Sequence, residues 1–229
     1  MIPRLILASR SPRREEILRR LEIPFEVRWA DVDEGHAAGE APDPAQAAAA
    51  AAYAKARRVA LEAPQGLVLG FDTVVVADGR RLGKPASPEQ AREMILALSG
   101  RWHEVLTGVA VVDSEKAARL PENAPRVAAG DENFWRADGA AVGVERTRVL
   151  FEQISPERAA LYVEKGESLD KAGGYGIQEK GSLLVKRIDG CYFNVVGLPV
   201  HLLCVLLRLF GVDLLALAGK GQDANRSIV

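Results

Sequence analysis

Two cysteines are all that the chain contains, and it has neither a strong net charge nor a long hydrophobic run. Cys191 and Cys204 form no Cys-x-x-Cys pair and no disulfide framework, which argues against structural zinc. Their expected role is that of small core residues. Such sparse cysteine use favours a reducing compartment, so we expect a cytoplasmic protein.

Charge and hydropathy exclude further classes of protein. Lys and Arg number 30 against 31 Asp and Glu, so no global field attracts a nucleic-acid polymer or an anionic membrane, and any phosphate binding has to be local. The apolar residues near the N-terminus are too few for a signal-peptide core. The most hydrophobic run, residues 195–207, is interrupted by Pro199 and His201 and is shorter than the roughly 20 residues that a membrane span needs. It predicts a buried helix.

What is present is ample core material. The chain has 229 residues, 48% of them hydrophobic, which is enough for one sizeable domain. Strand patterns outnumber simple crossover units, which predicts an α/β fold around a mixed sheet. We expect one domain over residues 1–215 and a flexible tail at 216–229. The segment at about 113–146 lacks sustained periodicity and is expected to be an excursion from the domain, in the form of a lid, a hairpin arm or a disordered loop.

Capping and turn residues mark several elements. Ser11 before Pro12 predicts the start of a helix, and residues 87–90 form a capping box that opens a helix to about Leu98. Asp78-Gly79 predicts a hairpin turn. An alanine-rich helix is predicted at 44–62, another helix from 155, and strands at 25–29, 67–70, 73–77, 103–112 and 147–152.

The segment from residue 5 to residue 14 has the sequence of an anion site. A short apolar strand leads into a turn with two serines and three arginines, and the turn leads into a helix whose first amides are free. A polyphosphate fits such a turn. A solvated surface cluster of arginines explains the same residues equally well.

Asp72 lies in the middle of an apolar strand, where a carboxylate has to be paired, protonated or bound to metal, or held by backbone amides at a bend. A tight hairpin is expected to return Lys84 towards Asp72. Lysine as phosphate ligand with aspartate as metal ligand or base suits phosphoryl chemistry, and a structural salt bridge is an equal alternative. The glycine-rich segment 166–178 allows close backbone approach to a ligand, or simply makes turns. His103 is expected to be structural.

Taken together, these segments resemble the Maf family of nucleoside triphosphate pyrophosphatases. The matching motifs occur in order along the chain: 7–14 (LASRSPRR), 33–34 (DE), 55–56 (KA), 70–76 (GFDTVVV), 83–85 (GKP), 98–103 (LSGRWH), 107–108 (TG), 170–173 (DKAG), 175–178 (YGIQ) and 194–199 (NVVGLP). The resemblance implies two lobes around a nucleotide cleft on a mixed, curved sheet. It also implies hydrolysis of a nucleoside triphosphate to monophosphate and pyrophosphate, a divalent metal (Mg or Mn), and frequently a homodimer.

The resemblance also implies roles for individual residues. Asp72 corresponds to the catalytic proton acceptor, or alternatively to a metal ligand, and Glu34 to its partner for the metal or the metal's water. The polyphosphate ligands that the resemblance implies are Ser9, Arg14, Lys55 and Lys84. Arg13, Thr73 and Gln178 resemble the branch of the family that acts on dTTP and UTP. A glutamine amide suits the N3 edge of thymine or uracil, although a flipped amide also accommodates cytosine.

Three departures from the family pattern stand out. Phe71 and Gly174 replace the common alanine, and the 113–146 segment is longer than the usual connection. None of them removes a catalytic group. A nucleotide-sensing regulator of cell division is the alternative function, although a pure sensor has no need of Asp72 beside the phosphates.

Overall fold

The computed structural model describes residues 3–30, 43–123, 126–127 and 134–219. The strands are β1 (Leu5–Ala8), β2 (Glu26–Val27), β3 (Leu67–Ala77), β4 (Arg80–Leu82), β5 (Trp102–Asp113), β6 (Phe134–Ala137), β7 (Ala140–Phe151) and β8 (Val185–Asp189). The helices are α1 (Pro12–Arg20), α2 (Pro44–Ala60), α3 (Pro88–Leu98), α4 (Pro156–Glu164), α5 (Tyr192–Val196), α6 (Val200–Arg208) and α7 (Leu214–Leu217).

The predicted mixed sheet is confirmed. Its strand order is β2-β1-β3-β5-β7-β6, with β4 paired to β3 and β8 paired to β7. β1 runs parallel to β2 and β3, and all other pairs are antiparallel. The fold class is therefore α/β, as the strand and helix signals indicate.

Helix α2 packs on one face of the sheet through its alanines. A Cβ added to Gly70 on β3 would lie 2.2 Å from the carbonyl oxygen of Ala52, and one added to Gly108 on β5 would lie 2.2 Å from that of Ala48. The helix backbone therefore rests directly on two strands, an approach that only glycine on the sheet side allows. This close packing sets the height at which the side chains of α2 reach the sheet.

The opposite face of the sheet carries two hydrophobic clusters. Phe71 and Val109 belong to the first, which also contains residues of α1 and α6. Val75 and Val105 belong to the second, which also contains residues of α3 and α4. Because side chains alternate along a strand, residues 73 and 107 lie on this same face at the boundary between the two clusters.

Several predicted boundaries are wrong. Residues 195–207 are not one helix, because α5 ends at Gly197, which has a φ of +111°, and Pro199 precedes α6. The strand predicted at 25–29 extends only over Glu26–Val27. The second half of the excursion predicted at 113–146 contains a β-hairpin, formed by Phe134–Ala137 and the first half of Ala140–Phe151, but it is not outside the domain, because the second strand also pairs with β5 within the sheet.

Other parts of the domain prediction stay predictions. The extent of one domain over 1–215 stays a prediction. The predicted tail at 216–229 begins inside α7, and residues 220–229 lie outside the described part.

Candidate active site

The site forms where one edge of β3 changes partner. β1 pairs with β3 up to Ala8 and Gly70, whereas β4 pairs with Val75 to Ala77 of β3. β5 occupies the other edge of β3 throughout, so residues 71–74 face an opening between β1 and β4 among the described strands. Asp72 lies in this opening, at the carboxyl end of parallel strands where α/β proteins commonly bind ligands.

Ser9 follows β1 and lies beside the start of α1. Its Oγ accepts hydrogen bonds from the amide of Ser11 at 3.2 Å and from Nη1 of Arg14 at 3.0 Å. Both acceptor lone pairs are then used, which leaves the hydroxyl hydrogen to be donated. Ser9 is therefore arranged as a donor. Ser11 is the N-cap residue and Pro12 occupies the first turn, as predicted, although the Ser11 side chain makes no capping hydrogen bond.

Arg14 is held from three directions. Its Nε donates to the carbonyl oxygen of Gly197 at 2.8 Å, its Nη1 to Ser9, and its Nη2 to Oγ1 of Thr73 at 3.1 Å. These acceptors come from three separate segments of the chain. The guanidinium group is therefore fixed in position before any ligand arrives.

Lys55 on α2 is the lysine that meets Asp72. Its Nζ lies 2.7 Å from Oδ1 of Asp72, and the two side chains are only 16% and 17% exposed. The expected meeting of Asp72 with Lys84 is thus replaced by the pair with Lys55. Lys84 is exposed and lines the same cleft, and no ion pair joins it to Asp72 in the part of the chain that the structure describes.

Arg13 forms a bridge to the glycine-rich segment. Its Nη1 lies 2.9 Å from Oδ2 of Asp170, whose Oδ1 accepts from Nζ of Lys171 at 2.7 Å. Burial raises the pKa of Asp170, but hydrogen bonds from Lys171 and Arg13 outweigh it and hold the pKa below the usual value. The guanidinium of Arg13 is therefore engaged by a carboxylate at the cleft.

The remaining predicted residues are placed as follows. Gln178 is half-buried and lines the cleft together with Thr73. Glu34 lies outside the described residues, so its assignment stays a prediction. The structure thus brings Ser9, Arg13, Arg14, Lys55, Asp72, Thr73, Lys84 and Gln178 to one cleft.

This cleft has a volume of about 1020 Å³, which is large enough for a nucleotide. Among the described residues that line it, seven are Lys or Arg and four are Asp or Glu. The excess of positive charge is local, because the whole chain has a net charge of −1. Such a surface suits a small polyanion.

Some features of the site escaped sequence reasoning. The guanidinium carbon of Arg10 stacks 3.8 Å from the ring centroid of Trp29, and both residues line the cleft. Neither the distance in sequence nor any motif connects them. His103 is structural, as expected, since its Nε2 lies 2.7 Å from the hydroxyl of Tyr175 and burial lowers its pKa to about 4.

Similarity to known proteins decides the family. The sequence profile described as "Maf-like protein" matches residues 4–210. The chain belongs to the Maf family. This Maf chain is 48% identical over 210 residues to the dTTP/UTP pyrophosphatase of Moorella thermoacetica, covering 92% of this chain and 96% of the relative.

Two further similarities differ greatly in strength. The Maf chain is 45% identical over 207 residues to the dTTP/UTP pyrophosphatase of Symbiobacterium thermophilum, covering 90% and 94% of the two chains. The crystal structure of a nucleoside-triphosphatase / dITP/XTP pyrophosphatase from Mycobacterium abscessus aligns with a TM-score of 0.36 at 16% identity, over 66% of this chain and 75% of that one. That second similarity is too low to bear on fold or function.

Proposed function

We propose that this Maf protein hydrolyses dTTP and UTP to the nucleoside monophosphate and pyrophosphate. The observation that carries the proposal is the low-exposure pair of Lys55 and Asp72 inside a cleft whose charge is mainly positive. The names of relatives at 40–48% identity support this choice of nucleotides. Modified pyrimidine triphosphates present the same ring edge and are proposed as further substrates.

In the proposed reaction, a water oxygen attacks the α-phosphorus while the bond to the bridging oxygen breaks and pyrophosphate leaves. Asp72 orients the water and accepts its proton. Lys55, Lys84 and Arg14 hold the charge that accumulates on the leaving oxygens, and Ser9 donates its hydroxyl hydrogen to a phosphate oxygen. Lys55 can serve both groups because it already lies beside Asp72.

The metal assignment is also proposed. Mg²⁺ in phosphate sites is held by one or two carboxylates together with waters and substrate oxygens, so it needs no cluster of protein ligands. The described residues hold no group of three or more His, Cys, Asp or Glu that fits a metal, and Asp72 in the cleft matches the smaller donor set. In the alternative role of Asp72, this carboxylate and Glu34 are proposed to hold Mg²⁺ or Mn²⁺, which would neutralise phosphate charge when bound.

Substrate choice is proposed to depend on Gln178, whose amide supplies both a donor and an acceptor for the N3 edge of a pyrimidine. The test is pyrophosphate release from canonical and modified triphosphates with Mg²⁺ or Mn²⁺, comparing the parent with Gln178→Ala. We expect dTTP and UTP to be the best canonical substrates, and the variant to lose about tenfold or more in kcat/KM for them alone. A parent that prefers GTP contradicts the proposal, and an equal loss for every nucleotide places Gln178 on the sugar or the phosphates.

The setting of the reaction is proposed from composition. No helix in the described ranges is long and apolar enough to cross a membrane. We propose that the enzyme works in the cytoplasm without a nucleic-acid partner, and that it forms a homodimer as its family frequently does.

A further inference from the structure

Three threonines are all that the sequence contains, and they lie on three adjacent strands of the sheet. Thr73 on β3 is the direct pairing partner of Thr107 on β5, and Thr147 on β7 pairs with Val105, two residues away from Thr107. All three lie on the face that carries two hydrophobic clusters, at the boundary between them. A line of hydroxyl groups therefore crosses an otherwise apolar surface.

Hydrogen bonds link this line to the active site. Nη2 of Arg14 lies 3.1 Å from Oγ1 of Thr73, which lies 2.9 Å from Oγ1 of Thr107, which lies 3.2 Å from the backbone carbonyl oxygen of Asn194. Thr107 and Asn194 are both fully buried. The chain of contacts thus begins at a cleft side chain and ends in the core.

The direction of the chain follows from what each group can donate. A guanidinium group only donates, so Oγ1 of Thr73 accepts from Arg14. A carbonyl oxygen only accepts, so the hydroxyl hydrogen of Thr107 goes to Asn194. The hydrogen between Thr73 and Thr107 therefore belongs to Thr73, and each hydroxyl accepts one bond and donates one.

This direction limits what Thr73 can do for a substrate. Its hydroxyl hydrogen is committed to Thr107, so it cannot be donated to a carbonyl of a pyrimidine ring while the chain of hydrogen bonds is intact. Gly197 lies close to this hydroxyl, because a Cβ added to the glycine would lie 3.2 Å from Oγ1 of Thr73. Direct contact of Thr73 with the base is then limited to accepting a hydrogen bond through its second lone pair, and the hydrogen bond from Arg14 gives the hydroxyl a further role.

We propose that Thr73 and Thr107 are positioning residues that hold Arg14 in the orientation that binds the triphosphate. The proposal rests on the proposed function for the role of Arg14, and it adds Thr107, a buried residue that does not line the cleft. Because Thr107 is out of reach of water, loss of its hydroxyl leaves the hydroxyl of Thr73 without its acceptor and lets it rotate. Arg14 then loses a fixed acceptor.

The test measures binding of inorganic tripolyphosphate by calorimetry, which requires no turnover. Two variants change Thr107: Thr107→Val keeps the shape but removes the hydroxyl, and Thr107→Ser keeps the hydroxyl. The other two are Arg14→Gln and the double variant that combines Thr107→Val with Arg14→Gln. We expect Thr107→Val to weaken binding about tenfold and Thr107→Ser less than threefold. In the Arg14→Gln background, we expect Thr107→Val to cause less than a twofold change.

Thr147→Val is the matched control. Thr147 is as fully buried as Thr107. Its Oγ1 accepts hydrogen bonds from Nδ2 of Asn194 and from the amide of Cys191, so it is not one of the hydroxyl groups that link Arg14 to the carbonyl oxygen of Asn194. We expect it to lower the melting temperature much as Thr107→Val does, with tripolyphosphate affinity within threefold of the parent. Where Thr107→Val does not fold, Thr73→Val replaces it in the same double-variant cycle.

The inference fails if Thr107→Val weakens binding equally with and without Arg14, if it leaves binding unchanged, or if Thr147→Val weakens it as much. It also fails if the parent does not bind tripolyphosphate, since Arg14 is then no phosphate ligand. Failure of the proposed function gives a different result. In that case no nucleotide releases pyrophosphate, but the effects of Thr107→Val and Arg14→Gln on tripolyphosphate binding are still not additive.

Discussion

Nζ of Lys55 lies 2.7 Å from Oδ1 of Asp72, although one residue belongs to an alanine-rich helix and the other to the central sheet. Both side chains are largely shielded from solvent. The ammonium group of Lys55 contacts the carboxylate of Asp72 and lies in the same cleft as the other proposed phosphate ligands. The pair therefore joins the proposed base to the proposed polyphosphate site.

Replacement of Asp72 by asparagine separates these two roles. We expect Asp72→Asn to lower kcat by at least about a hundredfold, because the amide keeps the shape but cannot accept a proton from water. Binding of dTTP should be kept or strengthened, since Lys55 no longer shares its charge with a carboxylate. Pyrophosphate release and calorimetry measure the two effects, and a kcat within tenfold of the parent rules out the base role.

The control for this variant is Asp78→Asn at the turn of the same hairpin. Asp78 is exposed and pairs with Arg101, so its loss should leave kcat within twofold of the parent. Raising the Mg²⁺ or Mn²⁺ concentration distinguishes the alternative role of Asp72. Recovery of Asp72→Asn activity at high metal concentration indicates a metal ligand, whereas a base that is lost is not restored by metal.

Close packing of α2 on the sheet gives a second prediction. Gly70→Ala introduces a Cβ at 2.2 Å from the carbonyl oxygen of Ala52, so the helix has to move. We expect a loss of about 1–3 kcal/mol in the free energy of unfolding, measured with urea, together with a lower kcat/KM because Lys55 moves with the helix. Gly83→Ala is the control, since nothing lies within 4 Å of a Cβ at that position. An unchanged stability of Gly70→Ala contradicts the packing argument.

Local sequence signals predicted the parts of this fold that depend on neighbouring residues. Asp78 and Gly79 both have positive φ and form the expected turn between β3 and β4, and the side chain of Ser87 accepts from the amide of Gln90 as a helix cap. Both features are decided within four residues of chain. Signals of this range are visible without knowledge of the tertiary fold.

What the sequence did not reveal depends on packing between distant segments. Lys55 and Lys84 are both close to Asp72 along the sequence, so either lysine could be expected to pair with it. Lys55 forms the pair because α2 packs directly on Gly70 and Gly108. The apolar start of β7 at Ala140 was missed because a short apolar run fits a helix, a strand or a loop equally well. The contact between Thr107 and Asn194 likewise joins residues that lie 87 positions apart.

His103 gives a prediction about pH. Burial lowers its pKa from 6.5 to about 4, so between these values the unfolded chain binds a proton that the folded chain does not. Its contribution to stability is therefore complete above pH 6.5 and is lost progressively as the pH falls towards 4. One pKa unit corresponds to about 1.4 kcal/mol, so the loss reaches about 3 kcal/mol.

His103→Gln tests this prediction, because glutamine does not titrate and can still bond to the hydroxyl of Tyr175. Urea denaturation of parent and variant from pH 7 to pH 4 gives the difference in slope, in which the carboxylates common to both proteins cancel. We expect the parent to lose more stability than the variant over this range. Parallel curves would show that His103 has the same pKa in the folded and the unfolded state, which contradicts the prediction.

The stacking of Arg10 on Trp29 gives the last prediction. Trp29 is 55% exposed, lines the cleft and carries the guanidinium of Arg10 on its ring face, which restricts where that positive charge lies. Trp29→Ala should raise the KM for dTTP about two- to fivefold, the effect expected for an exposed cation–π contact, whereas Trp29→Phe should raise it less.

Trp102→Ala is the matched control, because Trp102 is also exposed and lies under Arg148 but does not line the cleft. If Trp29 acts by placing Arg10, its removal has little further effect once Arg10 is replaced by alanine, and equal losses in the two backgrounds would mean that Trp29 contacts the nucleotide itself.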